Sequence, residues 1–261
     1  MISIDFSGKN VLLTGAGGGI GQGIARQYGA AGAKLHLADF RPEAMDDLVK
    51  KLKAAGVDVV THALDVTDEA AVGKVVDGIV AADGKIDILC NCAGTIANKP
   101  YMETTSDDFD RILAVNLVGM HKCIQATLKH MIPAGAGKIV NIASASSRKG
   151  NTFQIAYSAS KFGVMSLTQS VALTAAANNI NVNAICPGFV QSAMYVPTLE
   201  VLAKMNNSDV ETMRAFMLSR VPFNRDQTPE DIGNAAVFLS SDLAVNITGQ
   251  ALNVDGGFFM N

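Results

Sequence analysis

Charge, cysteine and histidine are all scarce in this chain. Only 17% of its 261 residues are charged, the net charge is −3, and no block of like charges occurs. That balance argues against a nucleic-acid partner, because phosphate binding calls for a clustered basic surface. No apolar run reaches membrane-spanning length. The opening "MISIDFSGKN" lacks a basic segment followed by an apolar core, so it does not read as a secretory signal. A cytoplasmic protein with no membrane partner is expected. The four cysteines are Cys90, Cys92, Cys123 and Cys186. Cys90 and Cys92 fall in the apolar run "IDILCNCAG", with no second pair or nearby histidine to complete a metal site. Reduced, buried thiols and no metal are expected.

What the chain has in quantity is apolar sequence: 49% of it is hydrophobic, enough for a substantial core. Short runs rich in Val, Ile and Leu recur from end to end: "NVLLTG", "KLHLAD", "VDVVTHAL", "KIDILCN", "GKIVNIAS", "INVNAICPG" and "GQALNVDGG". Longer segments with helical spacing separate them. In "PEAMDDLVKKLKAAG", Met45, Leu48, Val49 and Leu52 recur at helical intervals while the lysines and aspartates face away. Such alternation predicts an α/β fold, a doubly wound parallel sheet of about seven strands with helices on both faces. No linker, repeat or low-complexity tract divides it, so residues 1–261 read as one domain. Between Phe189 and Arg225 no strand intervenes. Segment 189–225 reads instead as short helices interrupted by Pro197, Asn206 and Asn207, and as a lid, since it starts at a strand end where open α/β sheets bind ligands.

The first strand runs into "TGAGGGIG" (Thr14–Gly21) and then a helix. Glycine there permits a tight turn and close approach to a pyrophosphate, and the helix start offers free N–H groups. The second strand ends at Asp39, where a carboxylate accepts hydrogen bonds from ribose hydroxyls and repels a 2′-phosphate. NAD is therefore expected over NADP. Arg41, able to swing toward a phosphate, is the counterweight, and Asp39 also suits a helix N-cap ahead of Pro42.

A dinucleotide site implies hydride transfer, which needs a proton carrier. The four histidines (His36, His62, His121, His130) have no adjacent motif and read as structural. Tyr157 and Lys161, four residues apart in "AYSASKFG", share one helical face. Spacing of that kind arises often by chance. A phenol titrates near 10 and needs a lowered pKa to act as a base near neutrality, which a neighbouring ammonium favours. Ser144, at the end of "GKIVNIASASS", either holds the substrate oxygen or is one more loop serine; spacing alone does not separate the two.

Taken in order, "TGAGGGIG", "NCAG" (Asn91–Gly94), "VNLVG" (Val115–Gly119), Ser144, "YSASK" (Tyr157–Lys161), "CPG" (Cys186–Gly188) and "NVDGG" (Asn253–Gly257) resemble the short-chain dehydrogenase/reductase family across nearly the whole chain. The resemblance implies a Rossmann fold and a homotetramer. It also implies roles. Tyr157 is the general acid/base, Ser144 orients the substrate, Lys161 binds the nicotinamide ribose and lowers the tyrosine pKa, and Asn116 anchors a proton-relay water. Gly15, Gly17, Gly18, Gly19, Ile20 and Gly21 form the phosphate loop. Asp65 and Val66 frame the adenine, and Asn91, Ala93 and Gly94 line the ribose. Pro187, Gly188, Val190 and Ser192 surround the carboxamide. Two departures stand out. Cys92 replaces the second amide of the usual Asn-Asn-Ala-Gly, which puts a sheet-stabilising hydrogen bond in doubt, and Ser192 replaces a frequent threonine.

For the substrate, Ser146, Arg148, Lys149, Asn151 and Gln154 lie near Tyr157 in sequence. The lid adds Gln191, Tyr195, Lys204, Arg214 and Arg220. Polar groups suit a hydroxylated or anionic molecule, and Arg148 and Lys149 suit a phosphate. Against this, Met194, Val196, Leu199, Met213, Phe216 and Met217 suit an apolar pocket or merely helix core. The layout is similar to polyol and sugar-alcohol (phosphate) dehydrogenases and to 2,3-butanediol dehydrogenases. A 3-oxoacyl or hydroxysteroid reductase is the alternative. A non-catalytic dinucleotide sensor is a remote one, because all four of Asn116, Ser144, Tyr157 and Lys161 are kept.

Overall fold

The computed structural model describes residues 3–260. Seven strands, β1 (Asn10–Thr14), β2 (Lys34–Asp39), β3 (Val59–Ala63), β4 (Ile88–Asn91), β5 (Gly137–Ile142), β6 (Ile180–Pro187) and β7 (Ala251–Val254), form one sheet in the order β3-β2-β1-β4-β5-β6-β7. Every pairing is parallel. Each strand falls inside one of the seven apolar runs. The inner strands are buried on both faces, and so they read as continuous hydrophobic runs.

Helices α1 (Gly19–Ala30), α2 (Asp46–Ala54) and α9 (Pro229–Ser240) cover one face, while α3 (Glu69–Asp83), α5 (Met120–Ala134) and α6 (Ile155–Ala175) cover the other. In α2 the predicted stripe is inward, with Leu48 and Leu52 buried and Met45 buried just before it. Helix α4 (Ser106–Leu113) runs into a π-turn at Ala114–Gly119 before α5 begins. The lid consists of α7 (Tyr195–Met205) and α8 (Val210–Ser219), joined through Asn206 and Asn207. Pro197 is tolerated because it sits in the first turn of α7. The lid carries a small core of its own, Leu199, Ala203 and Met213, separate from the two cores flanking the sheet. Between β1 and β4 the strand order reverses, and the crevice at their carboxyl ends is where such sheets bind ligands.

No helix among the described residues is long and apolar enough to cross a membrane, and no cluster among them has the composition of a metal site. All four cysteines are free, three of them buried.

Among the described residues, a histidine pair lies at the sheet edge. His36 Nδ1 faces His62 Nε2 at 3.2 Å, and His36 Nε2 lies 2.9 Å from Asp83 Oδ2. Burial holds both imidazoles below their ordinary 6.5, against the Asp83 charge in the case of His36. The unfolded chain therefore takes up protons near 6.5 while the folded pair still resists them. Its stabilising contribution is complete above that pH and lost as pH falls below it. The urea midpoint is expected to drop between about pH 7 and about pH 5, and His62→Asn should flatten that dependence. An equally steep profile in the variant would assign the acid sensitivity to other groups.

Candidate active site

Strand β1 delivers the chain into a glycine turn whose shape side chains would spoil. Gly15 has φ +68°, and a Cβ on it would stand 2.6 Å from Ala93 N and Cα. The turn thus lies directly on the end of β4. A Cβ on Gly21 would overlap the Gly15 carbonyl, so α1 starts tight against the loop. The N-cap of α1 is Gly18, with no capping side chain and no acidic residue in the first turn. Its amino end faces the cavity carrying unsatisfied N–H groups and the positive end of the helix dipole. Asp39 lines the same cavity. Its Oδ2 accepts from Gly17 N at 2.9 Å and its Oδ1 from Arg41 N at 2.9 Å. The carboxylate is thereby pointed while lone pairs remain for further donors.

The cavity measures about 1260 Å³ and runs from Asp39, Asp65 and Val66 past Gly94 to Ser144, Tyr157 and Lys161, and on beneath the lid. A single small-molecule site is typically ~300–1,000 Å³, so there is room for a dinucleotide and a second molecule. An uncapped helix start, a glycine cradle that side chains would fill and an oriented carboxylate fit a nicotinamide dinucleotide.

At the centre, Ser144 caps a short 3-10 turn. Its N–H donates to Ser147 Oγ at 3.2 Å and its Oγ accepts from Ser146 N at 3.0 Å. Lys161 Nζ donates to the Ile142 carbonyl at 2.7 Å and stands 5.6 Å from the centroid of the Tyr157 ring. Burial lowers the Lys161 pKa to about 8. Burial also raises the Tyr157 phenol above its ordinary 10, and the hydrogen bond from Ser144 opposes that rise. Among the protein atoms desolvation thus sets the direction of the phenol's shift. The expected depression is not a property of the tyrosine–lysine pair alone.

Most predicted residues line this cavity: Gly15, Gly18, Gly19, Ile20, Gly21, Asp39, Asp65, Val66, Ala93, Gly94, Pro187, Gly188, Val190, Ser192, Ser146, Asn151, Gln154 and Met194. Four need correction. Asn91 is buried behind the wall, its Nδ2 donating to Asn141 Oδ1 at 2.9 Å across the β4–β5 pairing. Gly17 is turned toward Asp39 and Ala44 and serves the carboxylate, not the wall. Asn116 is fully buried. Its Oδ1 accepts from Thr95 N at 2.8 Å, and its Nδ2 donates to Thr95 O at 2.9 Å and Ser160 Oγ at 3.0 Å. Its amide is committed to bracing the Gly94–Thr95 segment and does not itself reach the cavity. Arg148 turns away, donating to Asn253 Oδ1 and the Ala251 carbonyl on β7, so only Lys149 of that basic pair reaches the cavity.

At Cys92 the main chain is tied to β1, since Thr14 Oγ1 accepts from Cys92 N at 3.2 Å and Ala93 N at 3.3 Å. Desolvation pushes the Cys92 thiol up to about 12, which leaves it a poor nucleophile despite lining the cavity.

At the lid end, Met194, Met213, Phe216 and Met217 line the cavity, while Leu199 is lid core and Val196 faces solvent. Sequence reading missed an aromatic group there. Phe189 packs edge-on to Phe258 at 5.0 Å, and Phe258 on Phe259 at 4.6 Å, all three on the wall. The adjacent pair "FF" near the end was visible, but nothing local brings it back to residue 189. Of the polar lid residues, Arg220, Tyr195 and Asn206 reach the wall, and Gln191 and Arg214, like the Tyr195 hydroxyl, bond to Asp226.

The profile of the family described as Enoyl-(Acyl carrier protein) reductase matches residues 15–259. A 3-oxoacyl-(acyl-carrier-protein) reductase of Thermotoga maritima is 35% identical over 250 residues, 96% of this chain and 97% of that protein. The sorbitol dehydrogenase of Cereibacter sphaeroides is 36% identical, covering 97% and 98%. Among solved structures, an NAD+-bound xylitol dehydrogenase superposes with a TM-score of 0.93 at 36% identity, over 97% of this chain and 99% of that one.

Proposed function

This chain belongs to the short-chain dehydrogenase/reductase family, and we propose that within it the protein is an NAD-dependent dehydrogenase interconverting a secondary alcohol and its ketone, with a polyol or sugar alcohol as substrate. One observation carries the reading: Ser144, Tyr157 and Lys161 share a single cavity wall with the uncapped start of α1 and with Asp39.

NAD, when bound, supplies the two-electron acceptor for the carbinol hydride. Everything else falls to the chain. Ser144 holds the substrate oxygen by a hydrogen bond, and Tyr157 takes the hydroxyl proton as the carbonyl forms. The Lys161 ammonium, desolvated and held by the Ile142 carbonyl, stabilises the phenolate form of Tyr157 that accepts this proton. Asn116 braces the Gly94–Thr95 segment against which the ribose would rest. Asp39 accepts hydrogen bonds from the adenosine ribose and disfavours a 2′-phosphate. The family resemblance further implies a homotetramer, to be checked by size-exclusion chromatography with light scattering.

The polyol reading is supported by the polar shelf of Ser146, Asn151 and Gln154 beside Tyr157, and by likeness to sorbitol and xylitol dehydrogenases. A second reading, a ketone with an apolar body such as a 3-oxoacyl or alicyclic compound, is favoured by the Met and Phe side chains under the lid. Initial rates on polyols, polyol phosphates, vicinal diols and hydroxysteroids separate them. The first reading expects kcat/KM at least tenfold higher for a polyol class. Higher values for the apolar ketones establish the second.

A further inference from the structure

We propose that Asp226 is a positioning residue, the anchor that holds both lid helices down over the substrate end of the cavity. The proposal rests on the reading of that cavity as the substrate site. The Asp226 side chain is 1% exposed, an unusual place for a carboxylate without partners. Its partners come from three segments. Tyr195 Oη, at the start of α7, donates to Oδ1. Arg214, on α8, donates to Oδ2 through Nε at 3.1 Å and through Nη2. Gln191 Nε2, from the loop that follows β6 toward the lid, completes the set at 3.3 Å.

The anchor stands on a fixed platform. Gln227 N donates to the Phe189 carbonyl at 2.9 Å and Gln191 N to the Gln227 carbonyl at 3.0 Å, joining residue 226 to the end of β6 by main-chain hydrogen bonds. The lid needs such an attachment, because its apolar residues form a cluster among themselves and not with the sheet cores. Among the described residues, a further side-chain bond ties α7 to the body, Asn98 Nδ2 to Thr198 Oγ1 at 3.2 Å. Asp226 also draws the Tyr195 hydroxyl and the Arg214 guanidinium to itself. With Arg214 so held, Met213, Phe216 and Met217 of α8 are left facing the substrate space.

Two variants test the anchor: Asp226→Asn, which keeps the volume and removes the charge, and Arg214→Met, which alters a half-exposed side chain outside the buried core. Hydrogen–deuterium exchange of the full-length protein is expected to show uptake over residues 195–219 at least twofold faster in both, with β1 and α6 unchanged. On the best alcohol, KM is expected to rise about tenfold while kcat stays within about twofold, the pattern of lost uniform binding. Unchanged lid uptake in both variants overturns the anchor, and faster uptake with an unchanged KM overturns its positioning of substrate. If the wild type turns over no alcohol, the functional reading has failed, and the uptake comparison still decides the anchor by itself.

Discussion

Replacing Tyr157 with phenylalanine is expected to abolish turnover, lowering kcat at least ~10³-fold, while the Kd for NADH stays within about twofold. The substitution removes one oxygen and leaves the ring, so α6 and the cavity wall keep their packing. At about 1.4 kcal/mol per tenfold, such a loss corresponds to roughly 4 kcal/mol of transition-state stabilisation. That exceeds what one ordinary hydrogen bond contributes and marks a group that carries the proton. The separation of kcat from cofactor affinity is the essential part of the result. Tyr157 lies past Gly94 from the adenosine end, so a general collapse of the site would impair NADH binding as well. A variant retaining more than about a tenth of wild-type kcat would remove Tyr157 from the acid/base role. The phenol sits above its ordinary pKa in the protein alone. The rate is therefore also expected to climb with pH through the neutral range, and a flat profile would show that proton removal is not what limits it.

Asp39→Ala is the second large change. The wild type should prefer NAD to NADP, and the variant should lose most of that preference from both sides. Removing an ionised acceptor costs ~1.5–3 kcal/mol per hydrogen bond, about ten- to a hundredfold in kcat/KM for NAD. Removing the charge also lifts the repulsion against a 2′-phosphate, with exposed Arg41 beside it on the same wall. Because Asp39 Oδ2 also holds Gly17 N, the alanine variant loosens the glycine loop, and NAD affinity falls further than the ribose contacts alone require. Asp39→Asn isolates the charge, since an amide oxygen can still accept the Gly17 N–H. A wild type already preferring NADPH, or an unchanged ratio in Asp39→Ala, contradicts the assignment of this carboxylate.

The sheet was legible because an inner parallel strand, covered on both faces, announces itself as an apolar run, and the two edge strands also fall within such runs. The lid was legible as the stretch where such runs stop. The glycine loop and Asp39 were legible because the loop, the helix start and the second strand end are near one another in sequence. What stayed hidden depends on partners far along the chain. Arg148 looks like a cavity residue by adjacency to Ser144, yet its acceptors are about a hundred residues away on β7. Asn91 turns to Asn141 because the β4–β5 register sets them side by side. Asn116 is consumed by Thr95 once the π-turn brings it there. Asp226, in "RDQTPE", has no spacing signal at all, since its partners lie at 191, 195 and 214.

The most direct test of the account is the fate of the carbinol hydrogen. An alcohol deuterated at the carbinol carbon, drawn from the class with the highest kcat/KM, is oxidised by the wild-type enzyme with NAD, and the reduced cofactor is analysed by mass. The account predicts one deuterium per NADH formed, one NADH per ketone, and a rate with NADP at least tenfold lower. Unlabelled NADH, or ketone formed without reduced cofactor, would contradict it.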